Sequence, residues 1–227
     1  MKIEILYEDE DVLVINKPSG LMVHPDGHSS GPFVTDWLNK KFPELQNVGE
    51  TWPGIVHRLD AGTSGALIVA KNQPTFFGLK KQFQNRKINK VYNAFVWGEI
   101  KDARGIIDKS IGRSKNDFRQ RSAERGKKGK IRDAVTHFVV KKRQGGFSFL
   151  EVRPRTGRTH QIRVHLKAIG HPVVGDTLYA PKRLPALGFN RLALHAAAIE
   201  FENPMGKKIF VTAPLPADFQ NALSFFK

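Results

Sequence analysis

At 227 residues with 40% hydrophobic and 26% charged content, the chain is large enough for a well-buried core and ordinary for a globular protein. The absence of cysteine excludes disulfides, thiol nucleophiles and Cys-based zinc sites. No apolar run reaches membrane-span length, and Met1-Lys2-Ile3-Glu4-Ile5 lacks a signal-peptide core, so a cytoplasmic protein with no membrane partner is expected. Lys+Arg 37 against Asp+Glu 21 leaves +16, an excess that points to a polyanionic partner.

In chain order, Ile3 to Tyr7 and Val12 to Asn16 read as strands around the acidic turn Glu8-Asp9-Glu10-Asp11, followed by a turn at Lys17-Pro18-Ser19-Gly20. Val34, Trp37, Leu38 and Phe42 share a helical face, predicting a helix from about Phe33 to Phe42. Ile55 to Leu59 reads as a short buried strand that stops at Asp60-Ala61-Gly62-Thr63-Ser64-Gly65, and Ala66 to Ala70 resumes as a strand. Asn72 and Pro74 open a helix carried on by Phe76, Leu79 and Phe83. From Lys90 the period becomes two, with Val91, Asn93, Phe95 and Trp97 on one face and Tyr92, Ala94 and Val96 on the other.

Between Lys101 and Arg132, twelve basic residues against four acidic ones carry +8 of the net charge. Residues 113–132 hold almost no large apolar side chain and read as a long polar loop, ordered on a nucleic-acid backbone. Val135 to Val140 and Phe147 to Val152 predict a hairpin around Gly145-Gly146. Ile162, Leu166 and Ile169 place Thr159 to Ile169 on a core-facing helix stopped by Gly170. Strands at Leu192 to Phe201 and Lys208 to Ala213 and a helix from Ala217 to Phe226 follow. The expected fold is α+β: one domain over 1–227, built on a mostly antiparallel, mixed β-sheet flanked by helices and loops.

Two segments are dense in chemistry. His57-Arg58-Leu59-Asp60-Ala61-Gly62-Thr63-Ser64-Gly65 can present a carboxylate from a tight turn, although on residue types alone a turn cap is the commoner role for such an aspartate. Arg155-Thr156-Gly157-Arg158-Thr159-His160-Gln161-Ile162-Arg163-Val164-His165 gathers cations at a helix N-terminus, so a carboxylate or a bound anion is expected beside them. His24, His28, His160, His165 and His195 invite a metal reading. But His160 and His165, five apart on a helix, do not share a face, and no zinc-hydrolase spacing is present.

The first segment resembles the HRLDxxTSG signature of the RluA-type pseudouridine synthases, and Arg155 to His165 resembles their RTGRxHQxRVH segment, followed by Gly170-His171-Pro172-Val173-Val174-Gly175-Asp176. Asn16-Lys17-Pro18-Ser19-Gly20, Tyr92 in Lys90-Val91-Tyr92, and Leu194-His195-Ala196 match in the same order, from about residue 3 to 214. The chain starts directly on the catalytic strands, where many relatives carry an S4 domain first, and 113–132 falls where the family's forefinger-like loop lies.

The resemblance implies a pseudouridine-synthase-like catalytic domain that isomerises uridine in structured ribosomal or transfer RNA, with no metal or nucleotide cofactor, working as a monomer. It implies Asp60 as the catalytic carboxylate, Arg163 as its ion partner, Tyr92 as a stacking platform for the target uracil, and Arg58 as the side chain that fills the space of the flipped base. His57, Thr63, Lys17, Arg158, His160 and Gln161 are expected to meet substrate or RNA. A non-catalytic RNA-binding protein and a metal-dependent nuclease are the competing classes. The former gives no reason for a carboxylate beside phosphates, and the latter lacks its carboxylate cluster.

Overall fold

The structure is a computed structural model that describes residues 2–226 apart from 26, 28, 29, 116, 118, 125 and 126, so His28 and Arg125 lie outside the described residues. In chain order it runs β1 (Glu4–Glu8), β2 (Val12–Lys17), α1 (Val34–Lys41), a 3-10 turn (Pro43–Asn47), β3 (Ser64–Ala70), α2 (Gln73–Gln84), β4 (Asn89–Trp97), β5 (Arg104–Asp108), β6 (Ile111–Arg113), β7 (Arg121–Ser122), β8 (Lys128–Arg132), β9 (Val135–Gln144), β10 (Phe147–Pro154), α3 (Gln161–Ala168), β11 (Leu194–Glu202), β12 (Lys208–Thr212) and α4 (Ala217–Ser224). The fold is α+β, and strands outnumber helices as the alternation predicts. No helix among the described residues is long and apolar enough to cross a membrane.

The chain divides into two compact units, Met1–Lys90 with Ala196–Pro214, and Val91–His195 with Leu215–Lys227. In the first, β1 and β2 pair antiparallel, β2 pairs antiparallel with β3, β3 lies beside β11, and β12 pairs antiparallel with β11. β3 is buried along its whole length, which its uninterrupted Ala-Leu-Ile-Val-Ala run permits. α2 begins at Asn72, whose side chain accepts the Thr75 N–H, with Pro at the start of the helix.

In the second unit β4, β10, β9 and β5 are neighbours in that order, paired antiparallel across β10 and β9. Phe95 at the centre of β4 packs against Phe149, Phe189, Phe219 and Phe226, an aromatic cluster beneath α3 and α4. Ile162 and Leu166 point α3 into that cluster, as their spacing predicts. The helix ends in a left-handed Gly170, with His171 N–H donating to the Leu166 carbonyl.

Two expectations change. Ile55 to Leu59 is not a strand: it makes only an isolated bridge, Ile55 to Val69. The Ile68 N–H that a partner strand's carbonyl would take is accepted instead by the His57 ring at 2.9 Å, so a side chain replaces the ladder there. The basic stretch 113–132 is also not a plain loop. Arg113 pairs with Arg121 and Lys128, and Ile111 with Arg132, in a small antiparallel sheet in the order β7, β6, β8. Among the described residues, Ile111 at its base and Ala123 within it are buried with Ala134, Val164 and Tyr179, which pins an otherwise polar arm.

Candidate active site

Asp60 opens a tight turn in the first unit, its carbonyl accepting the Thr63 N–H at 3.0 Å. The turn is gripped from one side by residues 17–21. Lys17, fully buried, donates through Nζ to the carbonyls of Leu21 (2.6 Å), Pro18 (2.9 Å) and Ala61 (3.1 Å). Ser19 Oγ donates to the Gly62 carbonyl at 2.8 Å, and the Gly20 N–H to the Ala61 carbonyl at 2.8 Å. An ammonium buried in this way is tolerable only with such acceptors around it. Lys17 is therefore corrected from an RNA contact to the internal tie of the Asp60 turn.

The same correction applies to two neighbours. His57 accepts the Ile68 N–H on Nε2 and stacks on Phe83 at 4.7 Å, and burial together with the charge on Lys90 pushes its pKa down to about 3. A neutral ring bonded to β3 is scaffold rather than an RNA-binding cation. Thr63 is buried inside the turn, away from any surface RNA could meet. Gly65, at φ 112°, has a reason the sequence did not reveal: an added Cβ would sit 2.2 Å from the Ala196 carbonyl oxygen of β11. The close approach there is of protein backbone, not of a ligand. What this unit leaves accessible are Asp60, half-buried, and the exposed Arg58 two residues before it.

The second dense segment lies in the other unit and follows the same rule. Gln161, expected to touch RNA, is buried. Its Oε1 accepts from Thr156 Oγ1 (2.6 Å) and the Arg158 N–H (3.0 Å), and its Nε2 donates to the Val135 carbonyl and Thr136 Oγ1, both 3.0 Å. The line continues to His165, whose Nδ1 lies 2.9 Å from Thr136 Oγ1 and whose Nε2 lies 2.8 Å from the Lys109 carbonyl. A carbonyl can only accept, so Nε2 carries the proton and the Thr136 hydroxyl donates to Nδ1. Desolvation holds His165 below the ordinary histidine value, in keeping with that neutral form. This network staples α3 to β9, which removes both Gln161 and His165 from the ligand candidates.

The carboxylate expected near these cations is Asp176. Its side chain is fully buried and takes Arg163 in a two-pronged pair, Nε to Oδ2 at 2.7 Å and Nη2 to Oδ1 at 2.8 Å. The backbone N–H groups of Leu178 (3.1 Å) and Tyr179 (3.0 Å) also donate to Oδ1. Asp176 was legible only as part of the Gly-Asp match, with no hint of its partner. His160 stands at the start of α3 in a left-handed conformation, φ 57°, with Nδ1 2.9 Å from the Tyr179 hydroxyl. Arg158, half-buried, donates through Nε to the Asp133 carbonyl at 3.0 Å. Tyr92 is half-buried on β4 opposite Val152 of β10.

The sequence profile of the family described as RNA pseudouridylate synthase matches residues 11–168, which include the Asp60 turn, Tyr92 and Arg163. The chain belongs to that family. The Bacillus subtilis RNA pseudouridine synthase YlyB is 44% identical over 96% of this chain and 71% of its own length. The Pseudomonas aeruginosa ribosomal large subunit pseudouridine synthase D is 39% identical over the whole of this chain and 72% of its own. Human RNA Pseudouridylate Synthase Domain Containing 1 superposes with a TM-score of 0.78 at 30% identity, over 95% of this chain and 84% of that one. As an RNA pseudouridine synthase of the RluA type, the chain is an isomerase: it converts uridine in RNA to pseudouridine.

Proposed function

We propose that this synthase acts on uridine in structured ribosomal RNA, with Asp60 as the essential carboxylate. Isomerisation breaks the N1–C1′ bond, turns the uracil, and joins C5 to C1′; the C5 proton leaves and N1 regains one. Asp60 serves either as nucleophile at C1′ or as the base of a glycal route, and both require its ionised form. Arg163 serves as its cationic partner, Tyr92 stacks on the uracil, and Arg58 fills the gap left in the RNA when the base leaves its stack. Arg158, His160 and the basic arm meet the RNA backbone. The two units serve as one catalytic domain, a reading supported by a family match that runs across both. The protein works in the cytoplasm as a monomer and needs neither metal nor nucleotide.

The observation that carries this reading is the division of labour at residues 57–65. Lys17 and Thr63 are buried in holding the turn and the half-buried His57 ring is bonded to β3, while Asp60 and Arg58 keep accessible positions. The names of two relatives, ribosomal large subunit pseudouridine synthase D from Zymomonas mobilis and from Pseudomonas aeruginosa, favour ribosomal RNA as the target. The test uses RNA from cells lacking the protein, with uridine tritiated at C5 and separated into ribosomal and transfer fractions. Tritium release from the ribosomal fraction, in chelator and without nucleotide, is the expected result. Release from transfer RNA alone would reassign the target, and loss of activity in chelator would overturn metal independence.

A further inference from the structure

Tyr179 joins two parts of the second unit that otherwise have separate tasks. Its ring, 4% exposed, carries the Arg163 guanidinium 4.9 Å from the centroid, with Lys167 Nζ at 5.8 Å. Its hydroxyl accepts the Arg121 backbone N–H of β7 at 2.8 Å and lies 2.9 Å from His160 Nδ1. The Leu178 carbonyl beside it accepts the Gln120 side-chain amide at 3.0 Å. Ile111 and Ala123 of the arm are buried in the same small cluster as Tyr179 and Val164 of α3. Every described contact between the arm and residues 178–179 therefore converges next to the ring that supports Arg163.

The guanidinium has two restraints with different reach. Asp176 fixes its edge through two short hydrogen bonds, anchored in turn by the backbone of residues 178 and 179. The Tyr179 ring meets its face, and that ring is packed among Ile111, Ala123 and Val164 with its hydroxyl bonded to the arm and beside His160. A shift of the arm, whose exposed Arg113, Lys128, Lys130 and Arg132 suit RNA phosphates, alters the hydroxyl's partner and so the ring under Arg163.

From this arrangement we infer that Tyr179 is a positioning residue that couples seating of the basic arm on RNA to the posture of Arg163. The inference rests on the reading above that Arg163 serves the isomerisation. The arm already bonds the Tyr179 hydroxyl and the ring already faces Arg163. RNA bound along the arm's exposed cations holds that seat, whereas an arm that leaves it frees the hydroxyl and leaves Arg163 to Asp176 alone. Synthases that have bound only the target nucleotide are thus slower than those that have also engaged the flanking RNA.

The test is a double-mutant cycle on the full chain, with C5-tritiated ribosomal RNA from cells lacking the protein, read as the single-turnover rate at saturating enzyme and, separately, as RNA affinity. Tyr179→Phe keeps the ring and its buried volume, so it should melt close to wild type and bind RNA as tightly, while its saturated rate falls about five-fold. The arm variant Lys128→Gln/Lys130→Gln/Arg132→Gln should lose both affinity and saturated rate. Combining the two should bring no further loss of rate at saturation, because both sever one link. Multiplying rate losses, or a wild-type rate in Tyr179→Phe, would overturn the coupling. A loss of affinity equal to the loss of rate in Tyr179→Phe would also overturn it, by making the residue a structural support of the arm alone. A wild type that binds the RNA yet releases no tritium would instead strike the functional reading itself, and the coupling with it.

Discussion

The turn at Asp60 and the start of α3 are built by opposite means. Around Asp60 the chain is held by backbone carbonyls drawn to one buried ammonium, Lys17, with the His57 ring standing in for a strand's carbonyl. Around Arg163 the work falls to side chains: a buried carboxylate, a tyrosine ring, and a Thr-Gln-Thr-His line. The first design fixes a backbone so that one short side chain projects from it; the second fixes the long, flexible side chain itself. The comparison teaches that a dense polar motif is mostly scaffold. Of the residues expected to touch RNA, Lys17, Thr63 and Gln161 are committed inside the protein, and the half-buried His57 is bonded to the backbone of β3.

The contrast predicts different penalties. Arg163→Met strands Asp176 as a buried charge, which should cost about 3–5 kcal/mol of stability as well as most of the turnover. Adding Asp176→Asn should restore most of that stability but none of the turnover, measured by urea unfolding beside tritium release. Recovery of both would make the ion pair structural only. Lys17→Met removes the Nζ donor from the Pro18 and Leu21 carbonyls and leaves the Ala61 carbonyl with the Gly20 N–H. A loss of about 2 kcal/mol, or roughly 4–8 °C in Tm, is expected, with RNA affinity unchanged at a temperature where the variant is folded. A selective loss of RNA affinity would return Lys17 to the RNA surface.

A further effect lies in the pH dependence of stability. His57, with a folded value of about 3 against the ordinary 6.5, is protonated first in the unfolded chain, so stability falls as pH drops from 6.5 toward 3. Burial pushes Lys90 down from 10.5 to about 8, so between those values the unfolded chain holds the extra proton and stability rises with pH. Urea unfolding across pH should show a shallower acid limb in His57→Gln and no alkaline rise of this origin in Lys90→Met. Limbs unchanged from wild type would contradict the burial of these groups.

Much of this was open to reading in the sequence, and the gaps have physical causes. α2 and α3 declare themselves by helical spacing and by Asn72 and Gly170 at their ends, and the β9–β10 hairpin by Gly145-Gly146. The strand expected over Ile55 to Leu59 fails because period and hydrophobicity cannot reveal that a histidine ring takes the ladder's hydrogen bond. The arm was read as a loop because, among its described residues, burial rests on Ala123 beside Ile111, too little apolar surface to register as a pattern. β5 was missed for the same reason: its two isoleucines are adjacent, one buried and the other exposed at 65%, so it shows no clean alternation. Asp60, Tyr92 and Arg163 were marked by resemblance, whereas the Asp176 and Tyr179 contacts to Arg163 come from residues thirteen and sixteen positions further along, beyond the reach of local pattern.

The measurement that bears most directly on the whole account is tritium release from C5-labelled RNA by the wild type and by Asp60→Asn, with RNA affinity determined for both. The account predicts release by the wild type, a loss of at least about a hundred-fold in Asp60→Asn, and equal affinities. Release by Asp60→Asn at a rate near that of the wild type would contradict it, because no other residue has been given the part of the essential carboxylate.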